Sequence, residues 1–196
     1  LKSSHTIPRQ TFILWERQRL NDLLWEWIAF EKTRPPFKVI SREENFEIEC
    51  LDTSLKISID RIDLLEDGNY LIIDYKSSLQ NLSDWFGSHP KKPQLPLYVA
   101  FLPNNDGIGF AEVKKDNCRI NGLIRQVDKG VVNLDPNTRR AMNKEMNWDS
   151  QIEIWREVLL NLLRDFINGQ KEIEPTIGSC KNCAFDSICR VNSSGG

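Results

Sequence analysis

Residues Ile57 to Lys76 read ISIDRIDLLEDGNYLIIDYK, and this stretch decides the fold. Leu55, Ile57 and Ile59 alternate with polar residues, the period of two that marks a half-buried strand. Glu66-Asp67-Gly68-Asn69 follows, and Asp-Gly between two apolar runs is a strong hairpin signal. Tyr70 to Ile73 is then the return strand. On this reading Asp60 ends the first strand, and Asp74 and Lys76 end the second, where a spacing of two puts both side chains on one face. Two carboxylates and an ammonium at strand ends make a compact site for a divalent cation with a fixed positive charge beside it. Phosphodiester hydrolysis asks for that set: a metal activates water and neutralises phosphoryl charge, while a lysine stabilises the charge of the transition state. The competing reading is an Asp–Lys surface pair, worth roughly 0–1 kcal/mol and without chemical consequence. The surroundings favour chemistry. Asp60, Asp63, Asp74 and Lys76 lie in an otherwise strongly apolar segment, and charges at the ends of buried strands need partners or a metal.

Outward from this hairpin, the 196 residues suffice for one well-buried domain with a small appendage. We place the domain over 1–178 and a cysteine-rich segment and tail over 179–196. No run approaches the ~18 apolar residues a membrane span requires, and no signal peptide is visible, so the chain reads as cytoplasmic. A net charge of −2 does not by itself announce a nucleic-acid binder. Basic residues can still act locally: Lys91-Lys92, Lys114-Lys115, Arg119, Arg125 and Arg139-Arg140 are candidates for a DNA path or, equally, a solvated surface.

Upstream, Thr11 to about Lys32 carries apolar residues at spacings of three and four and reads as an amphipathic helix stopped by Arg34-Pro35-Pro36. That spacing assigns Trp15 and Trp27 to the core rather than to a base-stacking platform. Phe37 to Ile40 and then Phe46, Ile48 and Cys50 supply one or two strands, which with the hairpin give a mainly antiparallel meander. Downstream, Ser77 to Pro93 reads as a polar loop beside the site. Pro93 opens a helix that sets Gln94 and Tyr98, at i and i+4, on one face. Phe110 to Val113 and Cys118 to Ile124 read as strands, and residues 126–147 receive no role. Ser150 to Ile167 is a second long helix with a Ser150/Glu153 capping box, an apolar stripe from Ile152 through Phe166, and an Asn168-Gly169 stop.

Five cysteines, three of them in the last seventeen residues, favour metal ligation over disulfides in a cytoplasmic chain. Cys180, Cys183 and Cys189 form a C-x2-C-x5-C run, one ligand short of the four that zinc and iron–sulfur clusters take. A free cysteine-rich tail is the plain alternative. Cys50 and Cys118 sit in strand patterns and read as structural.

Ser58-Ile59-Asp60-Arg61-Ile62-Asp63 and Asp74-Tyr75-Lys76 resemble the motifs of the PD-(D/E)XK nuclease superfamily, in particular its RecB-like branch, with Ile57 where a glycine is usual. The order of features, from a helix ending in Arg-Pro-Pro-Phe through P-Q-L-P-L-Y to C-x2-C-x5-C-R, resembles the AddB-like nuclease domain of bacterial helicase–nuclease repair proteins. The Cas4-type nucleases are less similar. The resemblance implies an α/β restriction-endonuclease-like fold with a mixed central sheet flanked by helices, and Mg²⁺- or Mn²⁺-dependent DNA hydrolysis. Asp60, Asp74 and the Tyr75 carbonyl are the implied metal ligands, Lys76 the catalytic lysine, and Gln94 and Tyr98 the Q-x-x-x-Y pair that contacts DNA or positions the site. It also implies a [4Fe–4S] cluster on Cys180, Cys183 and Cys189 with a fourth cysteine upstream, a helicase partner, and a histidine ligand on an earlier helix. Neither His5 nor His89 lies in such a motif, so the chain reads as an N-terminally truncated domain. The rival functions are a catalytically silent DNA-binding or scaffolding module, a Cas4-type exonuclease and a zinc-binding adaptor.

Overall fold

The hairpin forms as read. In the computed structural model, which describes residues 9–103, 105–126, 130–133 and 147–170 with Cys180, Cys183–Phe185, Ile188 and Cys189, strand β2 (Thr53–Leu65) turns through Glu66–Asn69 into β3 (Tyr70–Lys76). Gly68 takes the left-handed conformation that the turn needs, at φ +86°, and Leu65 N–H closes it on Asn69 O at 2.9 Å. Asp60 does not end the first strand, as expected, but lies inside β2, which runs on to Leu65.

The region before it, expected as one or two strands, is a single strand β1 (Phe37–Cys50) paired antiparallel with β2 along nearly its whole length. Strands β4 (Gly107–Glu112), β5 (Arg119–Gln126) and β6 (Gly130–Asn133) complete a six-stranded sheet in the order β1-β2-β3-β4-β5-β6. Every pairing is antiparallel except β3 with β4. A parallel neighbour needs a crossover. Here it contains a 3₁₀ turn (Leu82–Trp85) and helix α2 (Gln94–Phe101). The Ser77–Pro93 connection is therefore not merely a polar loop: Leu82 and Trp85 on that turn are fully buried.

Helices cover both faces. On one face α2 and helix α3 (Trp148–Ile167) pack against Ile57, Ile59, Ile72, Ile108 and Leu123 to form the main core. Trp155 is central to it, edge-on to Trp148 at 6.2 Å and with its indole N–H donating to Trp85 O at 2.9 Å. Asn147, not Ser150, caps α3, its side chain accepting from Ser150 N–H. The predicted α3 stripe is buried at Trp155 and Leu159 but ends in an exposed Phe166.

On the other face, among the described residues, the cover is helix α1 (Arg9–Glu31), whose C-terminal end reaches the sheet through Trp27 and Phe30. Trp27 packs with Leu71, Ile73, Ala111 and Ile120, as read. Trp15, assigned to the core, is instead 59 % exposed. The reason lies in the helix itself: Phe12, Ile13, Leu14 and Trp15 are consecutive, so they point all round the axis and no single face can bury them. None of the helices is long and apolar enough to cross a membrane, among the described residues. Within the segment to which the sequence assigned no role, 130–133 is β6 and Asn147 is a cap; 127–129 and 134–146, which include Arg139-Arg140, lie outside the described residues, as does His5.

Trp155→Ala should cost about 3–5 kcal/mol. For a chain of this size each kcal/mol is worth roughly 2–4 °C, so thermal unfolding followed by circular dichroism should show a Tm loss on the order of 10 °C.

Candidate active site

The β2–β3 ladder runs from Leu64 opposite Tyr70 to Arg61 opposite Ile73, and stops. On the other side of β3, pairing with β4 continues through Asp74 and Tyr75 to Lys76 opposite Glu112. Strand β2 therefore parts from β3 at Asp60. The alternation also slips there: Ile57 and Ile59 face the main core, and so does Ile62, an odd step later. Tyr75 N–H, which an unbroken ladder would have paired with β2 backbone, donates to Asp60 Oδ2 at 2.9 Å. The widened gap between the strands is thus lined by carboxylates instead of being closed by hydrogen bonds.

Asp74 is 3 % exposed and lies on the main-core face with Lys76. Lys76 Nζ stands 2.6 Å from Asp74 Oδ2, an ion pair, yet no donor meets that buried oxygen at a good hydrogen-bond angle. Burial pushes the Asp74 carboxyl above its ordinary range; Lys76 pulls it down, the charge of Asp60 pushes it up again, and the Gln94 amide pulls it down. Gln94 and Tyr98 are one turn apart on α2, as the spacing predicts. Gln94 Nε2 donates to Tyr98 Oη at 2.9 Å, and Tyr98 Oη donates to Ser58 O, on β2, at 2.7 Å. Burial and the neighbouring carboxylates raise the Tyr98 pKa, so its hydroxyl stays a donor. Asp60, Asp74, Tyr75, Lys76, Gln94 and Tyr98 are all brought to this one end of the sheet.

Asp63, grouped with these in sequence, is elsewhere. It is fully buried on the α1 face, where Arg61 Nε donates to its Oδ1 at 2.6 Å and Arg34 Nη2 to its Oδ2 at 2.8 Å. Arg61 also reaches Glu31 and the Tyr75 hydroxyl, each at 2.9 Å. Burial disfavours the Arg61 charge, but the bonds to Asp63, Glu31 and Tyr75 raise its pKa overall. Tyr75 is held from both directions, its N–H by Asp60 and its hydroxyl by Arg61.

Sequence reading missed Glu112. It is fully buried at the end of β4, accepting from Gln80 N–H at 2.6 Å, Asn121 Nδ2 at 3.1 Å and Arg119 Nε at 2.6 Å. Lys92 donates to the Gln80 side chain, so the loop after Lys76 is fastened at both ends. A lone glutamate closing an otherwise apolar strand was the available signal. Of the basic candidates, Arg119 is engaged by Glu112 and Arg125 by Asp106 and Asp149, whereas Lys91 and Lys92 line a cleft next to Lys76.

The donor set suits a hard divalent cation. Mg²⁺ is commonly held by one or two carboxylates with the remaining positions left to water and substrate oxygens, and Asp60 with Asp74 provides two, one bearing a buried oxygen in want of a donor or cation. Among the described residues no three His, Cys, Asp or Glu are grouped to hold a metal, at this site or among the cysteines. Among the described residues of the cysteine-rich segment, Cys183 N–H bonds to Cys180 O at 3.3 Å, Phe185 N–H to Cys183 Sγ at 3.4 Å and Cys189 N–H to Phe185 O at 2.8 Å. Cys50 and Cys118 are half-buried at the edges of the two cores, and burial raises both thiol pKa values. His89 is exposed and bonded to Ser88.

The family model of the PD-(D/E)XK nuclease superfamily matches residues 2–190. The chain belongs to that superfamily. Its mixed sheet flanked by helices is the restriction-endonuclease-like α/β fold. This nuclease-superfamily chain is also similar to one of the subunits of the ATP-dependent helicase/deoxyribonuclease in three Streptococcus agalactiae strains, of serotypes Ia, V and III. Each is 43 % identical over 63 residues, which is 31 % of this chain but only 6 % of the relative. The crystal structure of SSO0001 superposes over 92 % of this chain and 71 % of its own, at a TM-score of 0.40 and 16 % identity.

A raised Asp74 pKa makes ionisation oppose folding. The penalty is absent below the unfolded carboxylate pKa of about 3.9 and grows as pH rises through the folded-state value. Asp74→Asn should therefore raise the Tm of the metal-free chain at neutral pH, with the gain fading on acidification toward pH 4. Added Mg²⁺ should reverse the order by stabilising the parent alone; a metal-free parent more stable than the variant at neutral pH contradicts this.

Proposed function

We propose that this chain hydrolyses DNA phosphodiester bonds with Mg²⁺ or Mn²⁺, in the cytoplasm, as the nuclease domain of a helicase-associated protein of double-strand-break repair or recombination. The single observation that carries the reading is the parting of β2 and β3 at Asp60, which leaves two carboxylates and Lys76 around one gap. Superfamily membership supports the nuclease class, and the partial likeness to the streptococcal helicase/deoxyribonuclease supports the helicase partner.

Asp60, Asp74 and the Tyr75 carbonyl would hold the cation, which when bound would supply an activated water and neutralise charge on the scissile phosphate. Lys76 faces the same gap from one-third exposure, so its ammonium can leave Asp74 to orient water or meet the charge that develops on the phosphoryl oxygens. Tyr98 keeps its proton, fixes β2 through Ser58 O and carries Gln94 into reach of Asp74 and the substrate strand. The hydrolytic unit spans 1–178. In the remainder, 179–196, Cys180, Cys183 and Cys189 bind a [4Fe–4S] cluster with a fourth ligand from another part of the protein; the C-x2-C-x5-C spacing and the Cys180–Cys183 turn support this.

In a plasmid and oligonucleotide assay with Mg²⁺ or Mn²⁺, Asp74→Ala and Lys76→Ala should each lose on the order of 10²–10³ in rate with folding intact. Parent-level turnover in either variant would sink the assignment. The full-length protein, purified anaerobically, should contain iron and acid-labile sulfide and lose its visible absorption on reduction, and Cys183→Ala should remove both. One zinc and no iron would replace the cluster by a zinc site.

A further inference from the structure

Beside the gap, and sharing Ser58, Lys76, Gln94 and Tyr98 with it, lies a cleft of about 700 Å³. Its floor is apolar: Leu55 from β2, Leu97 and Phe101 from α2, and Leu163 from α3. Its rim is basic, with Lys56 and Lys91 exposed and Lys92 half-buried. The Lys92 ammonium is already committed to Gln80 and to Asp84, 3.4 Å away. Lys56 and Lys91 have no acidic partner within ion-pair distance among the described residues and are therefore the cations available to a ligand. An apolar floor under a cationic rim suits a flat, weakly polar ring carrying an anionic tail. A nucleotide is such a ligand, and the cleft is continuous with the place where a nucleic-acid phosphate would react.

We propose that this cleft is a base-accepting subsite for one nucleotide adjacent to the scissile phosphate. The base lies on Leu97 and Phe101 while Lys91 and Lys56 meet the neighbouring phosphate. The proposal rests on the reading of Asp60, Asp74 and Lys76 as the hydrolytic site. Its consequence concerns the substrate. A cavity of this volume falls within the range of small-molecule sites, roughly 300–1,000 Å³, and a duplex whose major groove alone is about 12 Å wide cannot enter it. A paired base would have to be unstacked and extruded to occupy the cleft, a cost that is least in a single strand. The subsite thus selects a strand that is unpaired next to the cut. Lysine supplies here a mobile point charge rather than a fork, which suits a phosphate whose base identity is not read.

The test uses oligonucleotides lacking bases. With the cleavage-deficient Asp74→Ala chain, equilibrium binding of a single strand should weaken by roughly 5- to 150-fold when the strand is abasic throughout, the range for loss of one stacked base. With the parent chain, a single abasic residue moved step by step past the scissile linkage should lower kcat/KM at one neighbouring position only. Leu97→Trp, which fills the floor, should abolish both effects. Lys91→Glu, at an exposed position that leaves the fold intact, should raise KM with little change in kcat. Equal cleavage wherever the abasic residue stands, or KM unmoved in Lys91→Glu, overturns the subsite and leaves the hydrolytic reading standing. Loss of binding on base removal, with no cleavage of any DNA by the parent, keeps the subsite and overturns the hydrolytic reading.

Discussion

Asp60 and Asp74 lie at one end of the sheet where β2 and β3 have stopped pairing, and the charge of Asp60 opposes ionisation of the buried Asp74. That repulsion is what the neighbouring structure is arranged to contain. Asp60 is given Tyr75 N–H, a donor freed only because the strands part. Asp74 is given Lys76, two residues on and on the same face. Asp74 is not fully satisfied: burial and Asp60 together keep its pKa high, and one of its oxygens lacks a well-directed donor. A site that compensated its charges completely would have no use for a cation. Here the residual imbalance at Asp74 is what the proposed cation site rests on.

The back face meets the opposite requirement. Arg34, Arg61, Glu31 and Asp63 make two positive and two negative charges, cross-bonded at 2.6–3.1 Å, and they sit largely away from water. Such a set gains little net stability over apolar packing, but removing one member strands its partner at a cost of about 3–5 kcal/mol. Its value is therefore geometric. It fixes the end of α1 against β2, and through the Arg61–Tyr75 bond it fixes the residue whose N–H steadies Asp60. The Arg61 and Asp63 of the Asp-Arg-Ile-Asp motif thus face away from the side that Asp60 faces. Adjacent residues in a strand point to opposite sides, which is how one short motif serves both faces.

Much of this was legible because it depends on local chemistry. The Asp67-Gly68 turn, the Asp74–Lys76 spacing and the Gln94–Tyr98 pair each follow from residues within five of one another, and each appears where the pattern placed it. The parting of β2 from β3 was not legible, since Asp60 looked like a strand end when it is the point at which an intact strand changes neighbours. Trp15 misled for a related reason. Spacings of three and four identify a helix, but four consecutive apolar residues from Phe12 to Trp15 carry no direction, and only the tertiary placement of α1 decides which reach the sheet. The partners of Glu112 were not legible, because its three donors come from Gln80, Asn121 and Arg119, all on other parts of the chain with no period to betray them.

Glu112 also explains why the site and the cleft are of one piece. A chain segment leaving a strand beside a reactive centre is a source of imprecision, since groups on loops are held less well than groups on strands and helices. In this molecule Glu112 and Asn121 bond the backbone of Gln80, Lys92 bonds its side chain, and Leu82 and Trp85 anchor the same segment in the main core. Lys91 is presented from this bonded segment at the mouth of a cleft whose wall is α2, itself bonded through Tyr98 to Ser58 O on β2. The gap at Asp60 and the cationic rim are referenced to the same two strands. A displacement of β2 against β3 would move both together.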